Sequence, residues 1–101
     1  MTTTVSVFGL GYVGCVSAAC FADAGHQVMG VDIDTNKVAM VGGGRSPVIE
    51  PGLDDLIARQ QQVGRLHALT DPAAAVEITK VSFVCVVDAV VATNETMRAI
   101  A

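Results

Sequence analysis

An α/β fold is what this sequence predicts: a parallel sheet of about four strands with helices on both faces. Two observations carry that expectation. Short apolar runs, such as Val5-Ser6-Val7-Phe8 and Val28-Met29-Gly30-Val31, alternate with stretches of helical spacing, as they do where crossover helices join parallel strands. The first such unit, Val5 to Asp32, reads strand, Gly9-Leu10-Gly11-Tyr12-Val13-Gly14, helix, strand, acid. That is the order and length of a dinucleotide-binding βαβ unit, and it makes the sheet Rossmann-like.

Thr2 to Thr4 reads as a frayed start. Val5–Phe8 is the first strand, an unbroken apolar run suited to burial on both faces. Gly9 lets the chain turn sharply off that strand, Gly11 lets the backbone approach a pyrophosphate, and Gly14 lets the helix pack closely. The helix is expected over Val13–Ala24, with Val13, Val16, Cys20, Phe21 and Ala24 along one face, Ala18 and Ala19 permitting close approach, and Gly25 closing it. Its free first-turn amides and its dipole favour a phosphate. His26 reads as a surface-loop histidine at the helix end. Gln27–Val31 is the second strand. Asp32 follows it, 18 positions past Gly14, placed to accept hydrogen bonds from an adenosine ribose and to repel a 2′-phosphate. NAD is therefore expected rather than NADP.

Asp34 or Thr35 caps a short helix through Met40. Lys37 lies on it, near where adenosine would rest; on spacing alone a solvated lysine is the plainer reading. Gly42-Gly43-Gly44 breaks the helix. Ser46-Pro47-Val48-Ile49-Glu50-Pro51-Gly52 is an irregular extended loop fixed by its prolines. A helix follows over Leu53–Val63, with Leu53, Leu56, Ile57 and Gln60 inward, and Gly64 ends it. Arg65–Thr70 is the third strand, Thr70 or Asp71 the cap of a helix over Pro72–Ile78, and Val81–Val87 the fourth strand, with Asp88 at its carboxyl end. Ala89 to Ala92 extends that strand or forms a loop, and Asn94 to Ile100 reads as a capped helix.

The chain's 101 residues make one domain, and 51% are apolar against 16% charged. The mean hydropathy of +0.54 points to surfaces meant for neighbours. A net charge of −4 with no basic cluster argues against nucleic acid. The uncharged stretch Thr2–Ala22 lacks a basic start and carries glycines in a turn pattern, so neither membrane nor export is expected. Cys15, Cys20 and Cys85 have no metal-ligand spacing; they read as small buried residues in a reducing cytoplasm, and no metal is expected.

Four segments together resemble a known family. They are Phe8-Gly9-Leu10-Gly11-Tyr12-Val13-Gly14, Gly25-His26-Gln27-Val28 leading to Val31-Asp32, Ser46-Pro47-Val48-Ile49-Glu50-Pro51-Gly52-Leu53, and Gly64-Arg65-Leu66 followed by Thr70-Asp71. The chain is similar over about 5–86 to the N-terminal NAD-binding domain of the UDP-glucose/GDP-mannose dehydrogenase family, nucleotide-sugar 6-dehydrogenases. Within it, the chain resembles the GDP-mannose branch most. The resemblance implies oxidation of a sugar C6 hydroxyl to a carboxylate with two NAD per turnover and a cysteine nucleophile. It implies that Tyr12 and Val13 contact the cofactor, that Asp32 holds the ribose, that Lys37 supports the adenosine side, and that Glu50 to Leu53 shape the loop nearby.

The chain departs from the family where Val86-Val87-Asp88-Ala89 stands in place of V-G-T-P. A charge there would weaken NAD binding. The family's catalytic cysteine region and sugar domain have no counterpart in the 101 residues, so no catalytic residue is assigned and residues 87–101 are read as a divergent tail. The expected function is the NAD-binding part of such a dehydrogenase, inactive alone. The alternatives are a non-catalytic NAD-binding or regulatory module and a truncated remnant. Expected partners besides NAD are a second copy paired through strand 81–87, or a chain carrying the catalytic half. In the order 3-2-1-4-5-6 the fourth strand would be internal; here it is an edge or is covered by the tail alone, which favours association.

Overall fold

The architecture comes from a computed structural model, which describes residues 2–86 and 89–90. Four strands, β1 (Thr4–Phe8), β2 (Gln27–Val31), β3 (Leu66–Leu69) and β4 (Val81–Val86), run parallel. A two-residue strand, β5 (Ala89–Val90), pairs antiparallel with the end of β4, Val86 opposite Ala89 and Cys85 opposite Val90. The sheet order is β3-β2-β1-β4-β5. The chain thus runs outward from β1 through β2 to β3, then crosses back to β4. The order reverses between β1 and β4, and in open α/β sheets ligands bind outside the carboxyl ends at such a point.

Four helices make the crossovers: α1 (Tyr12–Asp23), α2 (Thr35–Gly42), α3 (Leu53–Gln62) and α4 (Pro72–Ile78). They lie on both faces. The Ser6 hydroxyl donates to the Ala75 carbonyl of α4 (3.1 Å), while the neighbouring Val7 lies below Gly14 of α1. Alternate residues of β1 therefore serve opposite layers. Val5, Val7, Leu10, Cys15, Ala18, Ala19, Ala22, Val28, Val41, Leu53, Ile57 and Leu66 form the core.

Five sequence expectations need correction. The buried stripe of α1 is Gly14, Cys15, Ala18, Ala19 and Ala22, not Val13, Val16, Cys20, Phe21 and Ala24. Small side chains let the helix settle on the sheet, and the bulkier ones are displaced to the flanks. There Phe21 packs on Phe83 of β4, ring centroids 4.8 Å apart. Cys20 is exposed, whereas Cys15 is buried and Cys85 half-buried. The amino-terminal threonines are tied in: Thr3 receives the Gln27 amide, and Thr4 the Lys80 amide, each at 3.0 Å. His26 is half-buried, and its Nδ1 accepts from the Thr3 amide (3.0 Å). Lastly, Ala89–Val90 neither extends β4 nor loops; it folds back on it. Asp88, residues 91–92 and the expected helix at 94–100 lie outside the described residues.

At both helix starts where an aspartate or a neighbouring threonine could cap, the aspartate does so. Asp34 Oδ1 accepts from the Asn36 and Lys37 amides (2.9 and 3.3 Å), and Asp71 Oδ1 accepts from Ala73 and Ala74 (3.0 and 3.3 Å).

Candidate functional site

The carboxyl ends of β1, β2 and β3 surround an open cleft of about 240 Å³ lined by Phe8, Gly9, Val31, Asp32, Ile33, Thr70 and Pro72. The glycine turn forms one wall. Gly9 has φ +95°, and a Cβ there would stand 2.5 Å from the Cys85 carbonyl oxygen. Its amide donates to the Val31 carbonyl (2.8 Å). At Gly14 a Cβ would run into the Gly9 carbonyl, so this glycine fits α1 against the turn as well as against the sheet. Both glycines are demanded by the fold itself.

Gly11 is different. It is the N-cap of α1, with φ −80° and ψ −161°, a conformation open to any residue. A Cβ built there meets nothing within 4 Å. The fold leaves room at Gly11 that it does not use. Immediately after it, α1 begins with no side-chain cap and no acid in its first turn. The other three helices begin differently: α2 and α4 carry aspartate caps, and α3 has Asp54 and Asp55 in its first turn. The positive end of α1 is thus left for an outside anion. Tyr12 and half-buried Val13 supply amides of that first turn.

Asp32 faces the cleft from the end of β2. Its Oδ2 accepts from the Leu10 amide (2.7 Å) and its Oδ1 from the Asp34 amide (2.9 Å). Partial burial opposes ionisation. The amides of Asp34 and Leu10, the Lys37 charge and the Ile33 amide outweigh it, and the carboxyl is held below its ordinary value. It is an anion at neutral pH with lone pairs to spare. Lys37, half-buried on α2, brings its charge to the same acid. The structure therefore gathers Gly9, Gly11, Tyr12, Val13, Gly14, Asp32 and Lys37 at one end of the sheet.

Three features of this end were not read from sequence. Ile33, 93% exposed, lines the cleft beside Asp32; an apolar residue directly after the acid was its signal. Thr70 and Pro72 close the far side. The Tyr12 hydroxyl donates to Glu50 Oε2 (2.8 Å), joining the turn to loop 45–52.

Residues 3–96 match the family model described as the UDP-glucose/GDP-mannose dehydrogenase family, NAD binding domain. The GDP-mannose 6-dehydrogenase of Pseudomonas aeruginosa is 48% identical over 82 residues, covering 81% of this chain and 19% of that protein. Among solved structures, a ternary complex of GDP-mannose dehydrogenase from P. aeruginosa superposes with a TM-score of 0.80 at 48% identity, over 81% of this chain and 19% of that one. A UDP-glucose dehydrogenase from the archaeon Pyrobaculum islandicum superposes at 0.81 with 38% identity, over 85% and 20%. The chain spans about a fifth of the length of these relatives.

Proposed function

Because the chain belongs to the UDP-glucose/GDP-mannose dehydrogenase family and matches its NAD binding domain, with NAD as its cofactor, we propose that the glycine turn and Asp32 hold that cofactor in the cleft described above. The observation that carries this assignment is Gly11. It has no need of its missing side chain within the fold, yet it stands between an uncapped helix start and an ionised acid. The first-turn amides of Tyr12 and Val13 take the diphosphate, Asp32 takes the ribose hydroxyls, and Lys37 flanks the adenosine side. NAD supplies the hydride acceptor when bound.

The chain forms a single NAD-binding domain that by itself binds NAD without oxidising a nucleotide sugar. No cysteine lines the cleft among the described residues, and burial raises the thiols of Cys15 and Cys85 away from nucleophilic character. Oxidation of GDP-mannose or UDP-glucose then requires a nucleophile and sugar pocket from elsewhere, in a partner chain or further residues. No helix among the described residues is long and apolar enough to cross a membrane, and the cytoplasm is the proposed setting.

Calorimetric titration with NAD, alongside Gly11→Val, tests the reading. Saturable binding is expected for the natural chain and at least about tenfold weaker binding for the variant, with circular dichroism unchanged. No heat from a folded natural chain would leave the turn as architecture alone and overturn the assignment.

A further inference from the structure

Loop 45–52 is held rigidly on its own account. The Ser46 amide donates to Asp54 Oδ1 (2.6 Å), and the Ser46 hydroxyl donates to the Val48 carbonyl (2.6 Å) while accepting from the Val48 amide (3.2 Å). The Leu53 amide donates to the Glu50 carbonyl (3.1 Å), and Gly52, at φ +82°, turns the chain into α3. Pro51 fixes the backbone directly after Glu50. Glu50 is therefore presented from a stiff frame. Its carboxylate reaches across 38 positions of sequence to the Tyr12 hydroxyl at 2.8 Å. Tyr12 is the first residue of α1, in the turn assigned above to the diphosphate.

We propose that Glu50 is a positioning residue of the NAD site: by holding the Tyr12 hydroxyl it fastens loop 45–52 to the phosphate-binding turn, so that cofactor occupancy and loop position are coupled. The inference rests on the assignment of the turn to NAD. An exposed hydrogen bond is normally weakened by competition with water and by side-chain ordering. Here one partner stands on a pinned loop and the other on a helix start, so both backbones are already fixed and only side-chain ordering remains to be lost. Tyr12 is itself 53% exposed, and its ring lies along a groove of about 350 Å³ between α1 and α3, beside Cys20, Asp23, Leu56 and Arg59. The hydrogen bond to Glu50, then its charge, hold the phenol above its ordinary value of 10.

The composition makes the bond directly observable. The chain has one tyrosine and no tryptophan, so its near-ultraviolet phenol absorbance and its tyrosine emission belong to Tyr12. In the full chain, Glu50→Ala, which removes the acceptor, is expected to bring the phenol titration back toward 10, to change the emission, and to weaken NAD about three- to tenfold. Tyr12→Phe is expected to weaken NAD by the same factor, and the double variant by no more than either single change. NAD added to the natural chain is expected to change the tyrosine emission. Unchanged NAD affinity in both single variants, with the phenol titration moved by Glu50→Ala, would overturn the proposal and leave the NAD assignment standing. Failure of the natural chain to bind NAD would overturn both. Additive losses in the double variant would show separate contacts and overturn the coupling.

Discussion

Single residues in this chain are sorted by what surrounds them, and the cysteines show it most simply. Cys15 is 1% exposed, and its thiol is pushed up to about 11. Burial is the main cause; the Asp32 charge adds to it and the Lys37 charge works against it. Cys20, five positions on, faces solvent. A maleimide at neutral pH is accordingly expected to label Cys20 within minutes and Cys15 only on unfolding, as peptide mass mapping with and without denaturant would reveal. Equal labelling in the folded chain would contradict the core described above. Composition reads all three cysteines as small buried residues, which holds for Cys15. It missed the exposure of Cys20 because hydropathy does not distinguish a buried thiol from an exposed one.

At the scale of elements, the turn and α1 depend on two glycines for packing and leave a third free. Gly14→Ala is expected to destabilise the chain by about 3 kcal/mol, because the colliding atom is a backbone carbonyl that cannot rotate aside. Gly11→Ala is expected to cost within about 1 kcal/mol, the usual range for changing an N-cap. Urea denaturation midpoints of the two variants check the contrast; similar losses would mean that Gly11, too, is structural. Much of this was legible beforehand. The strand, the turn, the second strand and its acid are each dictated by local backbone demands, as are the aspartate caps. The inner face of α1 was legible only at Gly14, Ala18 and Ala19, which are buried as read, while the stripe of Val13, Val16, Cys20, Phe21 and Ala24 was not the buried one. In Tyr12–Asp23 nearly every residue is apolar or small, so no polar side marks the outside. Volume decides which side meets the sheet, and volume is judged only against the strands beneath. The Tyr12–Glu50 bond was hidden for a related reason: it joins two segments whose proximity follows from α1 and α3 packing together.

For the molecule as a whole, β4 has its strand partner β1 along Val81–Val84, whereas pairing on its outer side extends, among the described residues, over Cys85 and Val86 alone. If the outer side of Val81–Val84 is open to other chains, this apolar strand would pair with another copy. Concentration-dependent association is the expected result of sedimentation velocity, and a sharp monomer at high concentration would refute it. A different consequence follows from Asp32. The acid proposed to select the cofactor also holds the Leu10 and Asp34 amides, so it staples the turn before any ligand arrives. A lineage drifting toward a phosphorylated ribose would have to give up this carboxylate and loosen its own scaffold in the same step. Cofactor preference is thereby buffered against mutation by foldability, and an engineered switch would first need a replacement for the staple.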